Sequence, residues 1–267
     1  MPSAPTFAFL GCGNMGMAVL RGALHHGVLQ AADTLVVDAS AERRAEARGL
    51  GAHVSDSVHD ARSIGRVMLA VKPQHFEAVA AALRGDAPIR RLVISVMAGW
   101  SASSIAIALG DASVVRTMPN LPAQIGMGMT AIAAAPDVAP GDLAFIERLF
   151  EGVGRTVRVH EDQLDAVTAV SGSGPAYLFL LAEAEIAAAK DLGLDDHTAH
   201  ALVTQTLLGA ATMLSRSVQS PADLRVAVTS KGGTTEAALH VLENARLRET
   251  VAHALAAARD RGAALGR

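Results

Sequence analysis

The sequence predicts an α/β fold in two parts: an N-terminal Rossmann-type domain over residues 1–160 and an all-α C-terminal dimerisation domain over residues 161–267. Three observations carry this. Phe7-Ala8-Phe9-Leu10 runs directly into Gly11-Cys12-Gly13-Asn14-Met15-Gly16, an apolar strand followed by the Gly-x-Gly-x-x-Gly turn of dinucleotide-binding units. From Thr6 to about His160, short apolar runs alternate with helical stretches, the form of a parallel sheet covered by helices. Beyond Glu161 the pattern is helical, with no convincing strand.

In the glycine turn, Gly11 permits the sharp bend, Gly13 lets backbone approach a pyrophosphate, and Gly16 allows close helix–strand packing. The N–H groups of the helix that follows face an anion. Leu35-Val36-Val37 leads to Asp38, the acid expected on the ribose about 20 residues after the turn. Ala41 to Arg48 reads as a helix ended by Gly49 and Gly51, Ala52-His53-Val54 as a third strand, and Asp56 to Ser63 as a brief helix. Val67 to Val71 and Leu92 to Val96 read as buried strands. Their ends, Ala70-Val71-Lys72 with Pro73 and Ala98-Gly99, fall on the carboxyl edge of the sheet, where open α/β folds bind ligands. Ser113 to Arg116 is a further strand, running into a stiff loop in which Pro119 and Pro122 flank Asn120, whose amide can donate and accept at the site. Met129 to Ala135, a helix around Leu143 to Phe150, and Arg155 to Val159 complete the first domain. The last two strands need not run parallel to the others.

In the second part, Gln163 to Val170 leads into Ser171-Gly172-Ser173-Gly174-Pro175 and a helix over Ala176 to Lys190. The serines do not make a hydrolase elbow, because Ser171 stands where Gly-x-Ser-x-Gly needs its first glycine. The helices Ala176 to Lys190 and His197 to Leu214 are apolar on several faces, so a partner subunit is expected to cover them. Ser220-Pro221-Ala222-Asp223 opens another helix with a capping box. Gly232-Gly233-Thr234-Thr235, directly before a helix, collects N–H groups and hydroxyls suited to a carboxylate.

Composition removes other classes. A net charge of −3 with no basic stripe argues against nucleic acid. Met1-Pro2-Ser3-Ala4-Pro5 has no basic segment, so no signal peptide is expected, and no uninterrupted apolar run of membrane-spanning length is seen. One cysteine, Cys12, excludes an intrachain disulfide and points to a cytoplasmic protein. His197 and His200 share a helix face without a convincing third ligand, so no metal is expected.

Taken together, Gly11 to Gly16, Val71-Lys72-Pro73-Gln74, Arg116-Thr117-Met118-Pro119-Asn120, Ser171 to Tyr177 and Gly232 to Thr235 resemble pyrroline-5-carboxylate reductase over essentially the whole chain. The resemblance implies hydride transfer from NADPH or NADH to the C=N carbon of 1-pyrroline-5-carboxylate, and a homodimer able to assemble into rings. It implies a dinucleotide held by Gly11, Gly13, Asn14, Met15, Gly16, Asp38, Ala70, Val71, Lys72, Pro73, Ala98, Gly99 and Asn120. It places substrate at Met118, Ser230, Gly232, Gly233, Thr234 and Thr235, with Thr235 the catalytic residue that hydrogen-bonds the ring nitrogen. Lys231 and Leu121 depart from the family pattern, which commonly has proline and threonine there. A reductase of another cyclic imine or a 3-hydroxy acid, and a nucleotide-binding regulatory protein without turnover, are the alternative readings. Asp38 favours NADH, whereas Arg43 and Arg44 suit a 2′-phosphate.

Overall fold

The apolar runs before residue 160 are continuous because the sheet they build is covered on both faces. In the computed structural model, residues 4–84, 91–110 and 112–265 are described, so Met1–Ser3 of the opening segment lie outside. The strands are β1 (Phe7–Leu10), β2 (Thr34–Val37), β3 (His53–Ser55), β4 (Arg66–Leu69), β5 (Arg91–Ser95), β6 (Ala112–Met118), β7 (Gly128–Ala134) and β8 (Gly154–Arg158). They form one sheet in the order β3-β2-β1-β4-β5-β6-β7-β8. The first six are parallel to one another.

Successive side chains of β1 serve opposite faces. Phe7 and Phe9 join a core with α1 (Asn14–His25) and α5 (Pro140–Glu151), through Val19, Leu20, Ile146 and Phe150. Ala8 and Leu10 join a second core with α3 (Phe76–Leu83) and α4 (Ala102–Leu109), through Phe76, Leu83 and Ile105. Between β2 and β3, α2 (Ala41–Gly49) is capped by Ser40, whose side chain accepts from the Arg43 N–H.

β6 and β7 are antiparallel, with Val115 opposite Ala134 and Met118 opposite Ala131. The turn Leu121–Ile125 between them is too short for a crossover helix, so the chain must double back. α5 then supplies a crossover, and β8 returns parallel to β7. The expected brief helix over Asp56 to Ser63 is a single 3-10 turn, Val58–Ala61.

The helical part comprises α6 (Leu164–Val167), α7 (Gly174–Asp191), α8 (Asp196–Arg216), α9 (Pro221–Ala227), α10 (Thr234–Asn244) and α11 (Leu247–Leu265). The Ser171-to-Pro175 stretch is not a loop between helices. A π-helical turn, Thr168–Gly172, carries the helix through it. Ser173 N–H donates to Thr168 O at 2.8 Å, and the Thr168 and Ser171 hydroxyls donate to the carbonyls of Leu164 and Val167. The resulting run, Glu161–Asp191, is long and apolar enough to cross a membrane by length and composition only, and charged residues such as Asp165, Glu183 and Glu185 interrupt it.

By contacts the chain divides between Ser173 and Gly174, and residues from Ala258 onward group with the first unit. Leu164 is the reason. It is buried with Ala131 and Ala133 of β7, with Met118, Val159 and Val167 around them. In the second unit, Gly174–Ala257, the only buried apolar side chains are Ala199 and Val203. Asp195 caps α8 and Ser220 with Asp223 forms the expected capping box on α9.

Phe150 is completely buried against the sheet. Phe150→Ala is expected to lower stability to urea by about 3–5 kcal/mol. A loss below about 1 kcal/mol would mean that the α5 layer does not pack as described.

Candidate dinucleotide and substrate sites

Steric contact explains the glycine turn. Gly11 has φ +86°, and a Cβ there would lie 2.8 Å from both the carbonyl carbon and oxygen of Ala70. A Cβ on Gly16 would lie 2.8 Å from Gly11 O. At Gly13 a Cβ would meet nothing within 4 Å, so that position is open to a ligand's approach. Gly13 is also the N-cap of α1, and no side chain caps this helix. Its N-terminal N–H groups therefore present partial positive charge to an anion.

Beside the turn lies a cleft of about 350 Å³. The structure brings Gly11, Gly13, Asp38, Ala70, Val71 and Lys72 to it, as the sequence predicts, and adds Ala39, Asp56 and His75. Asp56 follows β3 and His75 ends the 3-10 turn Pro73–His75. Their legible signal was position just beyond the carboxyl ends of adjacent parallel strands. The Asp38 carboxylate is anchored: Oδ2 accepts from Cys12 N–H at 2.6 Å and Oδ1 from Ser40 N–H at 2.8 Å. Asn14 and Arg43 instead line a neighbouring pocket with Glu46. Met15 and the Ala98-Gly99 turn are partly buried.

A larger cavity, about 560 Å³, opens beside Gly65, Leu92 and Ser113. These residues lie at the amino ends of β4, β5 and β6, opposite the edge used for ligands in such sheets. Its Arg66 and Asp142 are already paired at 3.0 Å. The cleft at the glycine turn is therefore the better candidate.

Asn120 spends both ends of its amide within the protein. Oδ1 accepts from Met129 N–H at 2.9 Å, and Nδ2 donates to Ser171 O at 3.1 Å. The Met118 side chain packs toward Gly172 and the small core around Leu164. Glu161, not singled out in the sequence, accepts from Ala102 N–H and pairs with Arg116 at 3.2 Å.

In the second unit, the loop before α10 commits two of its four proposed carboxylate donors. Gly232 N–H donates to Glu236 Oε2 at 2.7 Å, and Gly233 N–H donates to Ser230 O at 3.0 Å. Thr234 and Thr235 are the first two residues of α10, where backbone N–H groups have no partner within the helix. Lys231 is exposed. Among the described residues, no group of three or more His, Cys, Asp or Glu is placed to hold a metal ion.

Residues 161–265 match the family model described as pyrroline-5-carboxylate reductase dimerisation, and residues 6–99 match one described as NADP oxidoreductase coenzyme F420-dependent. The pyrroline-5-carboxylate reductase of Pseudomonas aeruginosa is 40% identical, over 98% of this chain and 97% of that protein. The chain belongs to the pyrroline-5-carboxylate reductase family. Solved reductases of the family agree in fold. The structure from Coxiella burnetii is 36% identical, with a TM-score of 0.89 over 99% of this chain and 100% of that one. The Plasmodium falciparum structure, solved with NADP bound, is 26% identical, with a TM-score of 0.87 and full coverage of both chains. As in the reductase family model, the helical region is a dimerisation domain.

Within this reductase the thiol in the glycine turn is buried. Burial foremost, then the nearby Asp38 and Glu46 carboxylates, push the Cys12 thiol up to about 12. Its proton is retained throughout the neutral range. Ellman's reagent at pH 8 is expected to leave Cys12 unmodified in the native protein and to titrate it after unfolding in urea. Rapid native-state reaction would show that the turn opens readily.

Proposed function

We propose that this chain reduces 1-pyrroline-5-carboxylate to L-proline with hydride from NAD(P)H, the last step of proline biosynthesis. The observation that carries this reading is the match to reductases of that name along nearly the whole chain. The cleft beside an uncapped helix N-terminus and an open Gly13 fits the dinucleotide such a reaction needs.

When bound, the dinucleotide supplies the hydride, so the protein's work is binding and orientation. The N-terminal N–H groups of α1 hold the pyrophosphate, Asp38 the adenosine ribose, and the Ala70 to Pro73 and Ala98-Gly99 turns the flanks. Ser230 and the Gly232 to Thr235 loop hold the substrate carboxylate, with the N–H groups of Thr234 and Thr235 its principal donors. The Thr235 hydroxyl hydrogen-bonds the ring nitrogen. Hydride reaches the C=N carbon, a proton reaches nitrogen, and the double bond becomes an amine. The imine is basic enough to take that proton from water, so no carboxylic acid or histidine is assigned as general acid. Asn120 acts by holding the loop after β6 in place, and Met118 by packing beneath it.

The exposed apolar side chains of α7 and α8 are the surface of a homodimer, with rings of dimers as the higher assembly. Phe179 is 61% and Leu180 67% exposed in the single chain. A second copy, rather than lipid, covers them, in a cytoplasmic enzyme without a nucleic-acid partner.

Addition of 1-pyrroline-5-carboxylate is expected to drive NADPH or NADH oxidation. Thr235→Ala should lower kcat/KM by about ten- to a hundred-fold, the loss of one hydrogen bond to the reacting group. Retention of full kcat/KM would remove Thr235 from its role. Phe179→Asp is expected to shift the protein to smaller assemblies in light scattering, because it buries a charge in an apolar interface. An unchanged mass would place the interface elsewhere.

A further inference from the structure

The two nicotinamide reductants differ only by a phosphate on the adenosine ribose. An acid after the second strand bonds the unphosphorylated hydroxyls, and a nearby arginine accommodates the phosphate. This chain has both residue types, so their commitments decide between them. We propose that the β2–α2 rim of the cleft is built for an unphosphorylated ribose, making NADH the preferred reductant. This rests on the dinucleotide-dependent reduction proposed above.

Two carboxylates, Asp38 and Asp56, line the cleft. Asp38 is fixed by the backbone N–H groups of Cys12 and Ser40 and cannot swing away without breaking both bonds. Each of its oxygens retains acceptor capacity for a ribose hydroxyl. A phosphate brought to the same rim meets like charge instead.

The arginines that would offset this charge are occupied and do not line the cleft. Arg44, whose side chain is only 19% exposed, donates through Nη1 to the carbonyls of Asp38 and Ala39 at 2.7 and 2.9 Å. Its Nη2 faces Asp56 at 3.7 Å. Arg43 is held by Glu46 at 3.1 Å and by Asn14 Oδ1 at 2.9 Å. Recruiting either cation to a phosphate breaks existing bonds. The cleft's remaining cationic or titratable groups, Lys72 and His75, follow β4 rather than the loop that carries Asp38 and Ala39. The Plasmodium falciparum relative was solved with NADP bound, so the preference argued here belongs to this chain's own rim.

The test compares binding and turnover. By calorimetry NAD+ is expected to bind about ten-fold or more tighter than NADP+, a difference of about 1.4 kcal/mol, and kcat/KM should favour NADH over NADPH in the same sense. Asp56→Asn, at a side chain 73% exposed, should narrow the binding ratio by about two- to five-fold, as expected for one screened surface charge. Asp38→Asn should narrow it further. Equal or tighter binding of NADP+, or a ratio unmoved by Asp56→Asn, would overturn the inference. Preferential NAD+ binding with no oxidation of either reductant by 1-pyrroline-5-carboxylate would instead overturn the reductase reading and leave only the rim's binding preference for an unphosphorylated ribose standing.

Discussion

Backbone meets backbone where β1, β4 and α1 converge, and the geometry of the first unit depends on that contact. The end of β1 can lie against Ala70 only because Gly11 has no Cβ, and α1 can start against the same turn only because Gly16 has none. Asp38 ties the end of β2 into this junction through Cys12 N–H. Three strand ends and one helix start are thereby held around a small volume, with Cys12 sealed beneath. The cleft beside the turn, the candidate dinucleotide site, is what remains on the open side of Gly13. A mobile turn would have to be ordered by its ligand at a cost in affinity, whereas this one is preorganised by packing.

The helical unit is governed by the opposite condition, incomplete burial. Helices in water gain most of their stability from packing an apolar face, yet Ala199 and Val203 are the only apolar side chains buried within residues 174–257. Its helices are locally well specified, with capped starts on α8 and α9, while their apolar side chains stay exposed in the single chain. The loop before α10 shows how the unit manages its donors. Glu236 and Ser230 occupy two N–H groups, while the first N–H groups of α10 have no partner within the helix.

Most of the strands, the glycine turn, Asp38, the helical second half and the capping box at Ser220 were legible in the sequence. They arise from local quantities: side-chain period, steric demand at one residue, and propensity at helix ends. The family-wide motifs extended this to the reaction. Not legible was the π-helical turn over Thr168 to Gly172. Hydroxyl back-bonds and a π-helical turn let the helix continue.

By itself the sequence determined the fold class, the dinucleotide turn, the helical dimerisation region and the family. Tertiary structure decided which polar groups at the sites are already spent. Asp38 is bonded to a residue 26 positions away, Arg43 to one 29 away and Asn120 to one 51 away. It also decided that Leu164 belongs to the sheet unit and that β7 reverses direction. Hydrogen-bond partners and burial depend on which distant segments meet, and neither period nor propensity encodes that meeting at a single position.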